Sequence, residues 1–225
     1  MSRPDPAAPS ARPPRVGAII LAAGASTRMG SPKQLLPIEG KPLLVRTVES
    51  ALGAPVWPVI VVLGAHAEQI RPALAHLPVL TVENPAWPEG MASSIRAGIT
   101  ALQQFSRMMD AVVIALCDQP AFSSTTVVQL ITAHRTTGRT IVAARYANRR
   151  GAPALFLREH FPALAALTGE EGARPLLQGD TFPVATVDLP ELAVDLDSPA
   201  DYASHAGTPP SPHEIPLPQS PPRGA

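Results

Sequence analysis

The chain contains only two lysines, Lys33 and Lys41, and both lie in the segment IILAAGASTRMGSPKQLLPIEGKPLL (19–44); its other 16 basic residues are arginine. A compact, flexible ammonium placed where the rest of the chain uses planar guanidinium groups suits a specific charge-neutralising task. In the same segment Ala22, Ala23 and Gly24 are small enough for backbone to approach a ligand and expose its N–H groups, while Arg28 and Lys33 add positive charge. That combination fits a polyphosphate. Two surface lysines in a solvated loop would give the same composition. The spacing matches neither GxxxxGK[ST] nor GxGxxG.

The acidic candidates lie elsewhere. AVVIALCDQP (111–120) puts Asp118 directly after an apolar run that Pro120 ends. A carboxylate fixed at a strand end can anchor magnesium together with phosphate oxygens, or it can cap the following turn. In AVDLDSPADY (193–202), Asp195 and Asp197 project to the same side of an extended segment. Ser198-Pro199 then opens a short helix, so Asp197 or Ser198 could equally be its cap. NPAWPEGMASSIRAG (84–98) sets Gly90 before a helix start, with Ser93 and Ser94 near its positive end; anion contact and ordinary capping both fit. Cys117 should point away from Asp118 and behave as a buried structural thiol. None of the six histidines forms a ligand pattern, and His134 and His160 read as helix-surface residues.

The elements that must position these groups alternate along the chain. VGAIILA (16–22), VIVVLG (59–64) and AVVIALC (111–117) are continuous and rich in branched residues, as strands covered on both faces are. VLTVEN (79–84) and TIVAARY (140–146) add two more strands, and helices are expected over 42–52, 66–76, 91–104 and 123–136. This rhythm predicts an α/β fold, a three-layer α/β/α sandwich around a Rossmann-like, mostly parallel sheet with reactive groups where strands end.

Composition narrows the function classes. Eighteen basic residues balance 18 acidic ones, which excludes a broad basic surface for nucleic acid. A single cysteine excludes an intramolecular disulfide and a multi-cysteine metal site. No apolar run is long enough to span a bilayer and no secretory signal is visible, so a cytoplasmic protein without membrane partners is expected. Of 28 prolines, five lie in residues 1–15 and seven in 206–225. Those stretches read as disordered tails flanking one domain over 16–205.

LAAGASTRMGSPKQLLP followed by GKPLL resembles the signature of the MobA-like nucleotidyltransferases. Within them, LAAG-x-S-x-RMG-x-x-KQLLP is most similar to the molybdenum cofactor cytidylyltransferase branch, whereas the guanylyltransferase branch typically shows LAGG and a glycine-rich loop. The resemblance spans roughly residues 16–203 and implies a nucleotide-diphospho-sugar transferase type of fold. It implies that Leu21, Ala22, Ala23 and Gly24 contact the nucleotide and that Arg28 and Lys33 hold its phosphates. DQP brings Asp118 to a divalent metal, Mg2+, and DLDSP adds Asp197, with Asp195 a less certain neighbour. Gly90, Ser93 and Ser94 would lie over base and ribose. GxPxLF (151–156) and GARPLL (172–177) would border the acceptor pocket, with Gly151 and Arg174 as contacts and Arg149 and Arg150 as further candidates for an anionic pterin phosphate. Gly169-Glu170 departs from the Gly-Asp of many relatives. The implied reaction transfers CMP from CTP to molybdopterin with release of pyrophosphate, the product passing to a recipient molybdoenzyme. A sugar or alditol phosphate acceptor, or a non-catalytic cofactor carrier, are the alternatives.

Overall fold

The computed structural model describes residues 12–179 and 181–206. Most of both proline-rich stretches lies outside the described residues. Arg12 and Arg15 lie inside them: the Arg12 guanidinium donates to both oxygens of Asp110 (2.8 and 3.0 Å), and the Arg15 amide donates to the same carboxylate (2.7 Å).

Seven strands form one sheet: β1 (Val16–Ala22), β4 (Val59–Leu63), β5 (Leu80–Glu83), β6 (Ala111–Leu116), β7 (Ile141–Tyr146), β8 (Arg149–Leu157) and β9 (Val184–Asp188). A two-stranded hairpin, β2 (Pro37–Ile38) and β3 (Lys41–Pro42), stands apart. The order across the sheet is β5-β4-β1-β6-β8-β7-β9. β1 is central and all seven of its residues are buried, which is why its sequence reads as an unbroken apolar run. Its alternate residues supply two cores. Ala18 and Ile20 join Val61, Val113 and residues of α1 (Leu43–Leu52) and α4 (Ser124–Thr137) on one face. Ile19 and Leu21 join Ile60, Val112 and residues of α3 (Met91–Phe105), α5 (Phe161–Ala165) and α6 (Arg174–Gln178) on the other. The molecule is thus the three-layer α/β/α sandwich its sequence implies.

The sheet is mostly parallel, as the sequence implies, with β8 alone running antiparallel, to both β6 and β7. Other local features depart from expectation. Neither β8 nor the edge strand β9 is expected from the sequence: Gly151 and Pro153 interrupt the apolar pattern of β8, and β9 is only half-buried. The expected helix over 66–76 is a single turn, α2 (Ala67–Ile70), passing into a 3-10 turn at Arg71–Leu74, where Pro72 enters. His160 is buried, its Nε2 within 2.8 Å of the Thr140 hydroxyl and its ring edge-on to Phe182. His134 is exposed, as expected. Among the described residues no helix is long and apolar enough to cross a membrane.

A third, small core sets the site. Met29, Leu36, Ile38, Leu43, Leu196 and Tyr202 pack together, joining the loop after β1 to the hairpin and to α7 (Pro199–Ala206). The Tyr202 hydroxyl donates to the Pro37 carbonyl (2.6 Å). Leu196, fully buried, anchors the segment bearing the acidic pair.

Candidate active site

The C-terminal ends of β1 and β6 open onto a cavity of about 780 Å3. Leu21, Ala22, Ala23, Gly24, Arg28 and Lys33 line one side, Asp118, Asp195 and Asp197 another. Gly90, Ser94, Gly151 and Arg174 complete the set that the sequence singles out. Ser93 alone stands back. It is buried, donates to the Gly90 carbonyl (2.8 Å) and accepts from Asn84 Nδ2 (2.8 Å), so its hydroxyl braces the entry to α3.

The acidic residues come from separate segments of the chain and meet through backbone. The Leu196 amide donates to the Asp118 carbonyl (2.9 Å), which sets Asp195 and Asp197 on either side of that link. Asp197 is not the cap of α7. Ser198 holds that role: its amide and hydroxyl both donate to Asp201 (2.8 and 2.7 Å), and its oxygen accepts from the Asp201 amide (3.3 Å). Nor does Asp118 cap α4, which begins at Ser123, whose hydroxyl accepts from the Thr126 amide. Both carboxylates therefore remain available to the cavity.

Lys33 Nζ donates to Asp118 Oδ2 and to Asp197 Oδ1, each at 2.7 Å, and Arg28 donates to Asp197 Oδ2 at 2.9 Å. Two cations and two anions thus neutralise one another at the cavity wall. Burial works against the charged forms of Lys33 and Asp197, but the ion pairs prevail. The Asp118 charge first, with the hydrogen bonds to Asp118 and Asp197, holds the ammonium above its ordinary range, and Lys33 with Arg28 holds the Asp197 carboxyl below its own. Asp118 Oδ1 is buried and has no partner among the described residues, and the same is true of Asp195 Oδ1. Burial and the nearby Asp118 charge push the Asp195 carboxyl upward, with Arg149 (3.5 Å) acting in the opposite sense. Carboxylate oxygens without donors, beside ammonium-bound ones, are the hard-oxygen set a divalent cation takes. Among the described residues, no group of three or more acidic, histidine or cysteine side chains is arranged to hold a metal alone, so phosphate oxygens would have to complete any such shell.

Gln34 belongs to the site although the sequence gives it no role. Its side chain is fully buried, and its Nε2 donates to the carbonyls of Ala22 and Gly24, both at 3.0 Å. The Ser26 hydroxyl donates to Gln34 Oε1 (3.3 Å) and accepts from the Lys33 amide (3.2 Å), so one amide side chain ties the loop to the root of Lys33. The acceptor-side arginines differ from one another. Arg149 pairs with Asp195 and lies 5.4 Å over the Tyr146 ring, and Arg150 donates to the Leu177 carbonyl (3.0 Å). The Arg174 side chain is exposed on the cavity wall without a protein partner among the described residues. Cys117 is buried, and desolvation followed by the Asp118 charge pushes its thiol up to about 12, which removes it as a nucleophile.

A family model described as the MobA-like NTP transferase domain matches residues 18–191. The chain belongs to that family. It is 36% identical over 193 residues to nicotine blue oxidoreductase of Paenarthrobacter nicotinovorans, covering 82% of this chain and 92% of that protein. The structure of Rv0371c from Mycobacterium tuberculosis superposes with a TM-score of 0.74 at 30% identity, covering 87% of this chain and 98% of that one; Rv0371c has also been solved in complex with manganese. A nucleotidyl transferase from Methanothermobacter superposes with a TM-score of 0.72 at 26% identity, covering 84% and 95% of the two chains. The chain is thus an NTP transferase of the MobA-like family.

Proposed function

We propose that the protein transfers CMP from CTP to molybdopterin, releasing pyrophosphate and forming the cytosine dinucleotide of the cofactor. One observation carries the reaction type: Lys33 and Arg28 converge on Asp118 and Asp197 at the strand ends, beside a loop of small residues. The choice of CTP and molybdopterin is supported by the LAAG-x-S-x-RMG-x-x-KQLLP pattern and by arginines around the other end of the cavity.

In this reading a phosphate oxygen of the acceptor attacks the α-phosphorus as pyrophosphate departs. That oxygen is already nucleophilic, so the protein supplies position and charge rather than a strong base. The loop after β1 seats the triphosphate, and Arg28 and Lys33 move from their carboxylates to offset charge on the leaving pyrophosphate. Asp118 and Asp197 would hold a magnesium ion, which supplies Lewis-acid polarisation of the phosphates when bound; the manganese complex of Rv0371c favours a divalent metal here. Arg174, which has no protein partner among the described residues, receives the acceptor's phosphate.

The test is pyrophosphate release with each NTP, magnesium and molybdopterin or a sugar phosphate, alongside the Asp118→Asn variant. Release with CTP and molybdopterin, reduced at least 100-fold by Asp118→Asn in a variant that still folds and unfolds cooperatively, is expected. Near-normal release by that variant would sink the assignment. A second reading, an oxidoreductase, is favoured by the identity to nicotine blue oxidoreductase. Bleaching of nicotine blue in the presence of a reduced nicotinamide nucleotide, without pyrophosphate release from any NTP, would select it.

A further inference from the structure

Four successive carbonyls at the start of the loop after β1 are held by protein donors. Ala22 and Gly24 accept from Gln34 Nε2 (3.0 Å each), Ala23 accepts from the Ala65 amide (3.1 Å), and Ala25 accepts from His66 Nε2 (2.9 Å). A carbonyl is the only partner available to that ring nitrogen, so Nε2 carries the hydrogen. Opposite them, the amides of Gly24 through Arg28 donate to no protein group among the described residues. Successive peptide N–H groups left free in this way form a concave anion receptor, and its shape depends on the carbonyls staying where they are.

Two of the three tethers come from one short stretch, Gly64-Ala65-His66, at the end of β4. Gly64 makes the approach feasible: a Cβ there would lie 2.5 Å from the Ala23 carbonyl oxygen and 2.9 Å from Trp87 Cβ. The backbone of His66 is itself fixed, because its carbonyl accepts from the Gln69 and Ile70 amides (3.1 and 3.0 Å) in the first turn of α2. Its side chain therefore reaches the loop from a rigid base, and its contact is at Ala25, the last of the four tethered carbonyls. His66 is not among the residues that line the cavity.

We infer that His66 is a positioning residue for nucleotide binding, acting through the Ala25 carbonyl to keep the loop amides aimed at the phosphates. Gln34 performs the same task for Ala22 and Gly24 from the opposite side. The inference rests on the nucleotidyltransferase reading. Loss of the His66 tether lets the Ala25 peptide rotate, which turns a carbonyl toward the bound anion and removes an amide from it. The penalty falls on nucleotide affinity, since the acceptor end and the acidic pair do not touch this stretch.

Calorimetric titration with CTP and magnesium, together with pyrophosphate-release kinetics, tests this on full-length wild type, His66→Leu and His66→Gln. Leucine retains much of the ring's volume without a donor; glutamine places an N–H at similar reach. The expected result for His66→Leu is a roughly tenfold rise in both Kd and KM for CTP. Its kcat and acceptor KM should stay within about twofold, and His66→Gln should recover to within about threefold of wild type. Equal CTP affinity in wild type and His66→Leu overturns the inference alone. So does a His66→Gln protein as weak as His66→Leu, because a merely structural histidine would not be rescued by restoring one donor. If His66→Leu does not fold, His66→Gln against His66→Ala makes the same comparison. Failure of the wild type to bind any of the four NTPs overturns the nucleotidyltransferase reading and this inference with it.

Discussion

Replacing Lys33 by methionine keeps the length of the side chain and removes its charge, and the consequence can be worked from the site. In the nucleotide-free protein the ammonium makes two charge-assisted hydrogen bonds at 2.7 Å. Such bonds contribute about 1.5–3 kcal/mol each. The bond to Asp118 joins side chains only 12% and 18% exposed and keeps that value, whereas Asp197 is 35% exposed, so its bond is discounted for solvent screening. The sum is about 2–4 kcal/mol. A divalent cation entering between these carboxylates must displace the lysine and forfeit that amount. Lys33→Met should therefore bind Mn2+ about 30- to 1,000-fold more tightly than wild type in the absence of nucleotide, while pyrophosphate release falls for want of a cation on the phosphates.

Thermal unfolding with and without metal reads this directly. Without metal, Lys33→Met should melt several degrees below wild type, because Asp118 is left partly buried and uncompensated. If the variant binds Mn2+ at about 10 μM, 1 mM metal restores about 2.7 kcal/mol, or about 5–11 °C for a chain of this size. A wild type binding at about 1 mM gains about 0.4 kcal/mol, near 1 °C. Paramagnetic resonance of free Mn2+ gives the two affinities independently. Equal stabilisation of the two proteins by metal, or an affinity ratio near one, would refute the view that lysine and metal compete for the same carboxylates.

Three further outcomes follow from the geometry. Gly90→Ala forces a Cβ to within 2.6 Å of the Gly169 carbonyl oxygen at φ 103°; strain and overpacking together cost about 2–5 kcal/mol, read as a loss of about 5–15 °C in Tm, and a shift under 2 °C would contradict it. Cys117, with its thiol pushed up to about 12, should resist iodoacetamide at pH 8 in the native protein and react promptly once unfolded; rapid native labelling would mean that the strand end opens. Asp197 has its carboxyl held below the ordinary value of 3.8, so its contribution to stability is complete above that pH and is lost as pH falls through the lower folded value. Urea titrations should accordingly show Asp197→Asn losing less stability than wild type between pH 4 and pH 2, and parallel curves would count against the ion pair.

The parts of this molecule that could be read from sequence are those whose neighbours impose a pattern on them. β1, β4 and β6 are covered on both faces, so nearly every residue is apolar and the run declares itself. β8 escapes notice because Gly151 and Pro153 stand inside it, and β9 because an edge strand alternates too weakly. Asp118 was legible as an acid at a strand end and Asp197 as an acid before a short helix, but neither as a carboxylate turned to the cavity, since a capping carboxylate has the same local sequence. Only the hydrogen bonds of Ser198 with Asp201 and of Ser123 with Thr126 separate the two roles. Gln34 stood in the KQLLP motif without a role, and His66 carried no signal. Their targets are backbone carbonyls, which every residue possesses, and His66 reaches across 41 positions of the chain.

The three acceptor-side arginines make the same point about charge. In the sequence Arg149, Arg150 and Arg174 are equivalent candidates for an anionic acceptor. In the fold, recruiting Arg149 means giving up Asp195 and its stacking on Tyr146, and recruiting Arg150 means stripping the Leu177 carbonyl of its donor. The first loss gives up an ion pair and the second leaves a carbonyl without its hydrogen bond. Arg174 surrenders no protein partner among the described residues and stands at the first turn of α6, lining the same cavity as Asp195 and Asp197. An acceptor phosphate brought there meets a guanidinium already in place, and Arg149 and Arg150 hold the shape of the pocket around it.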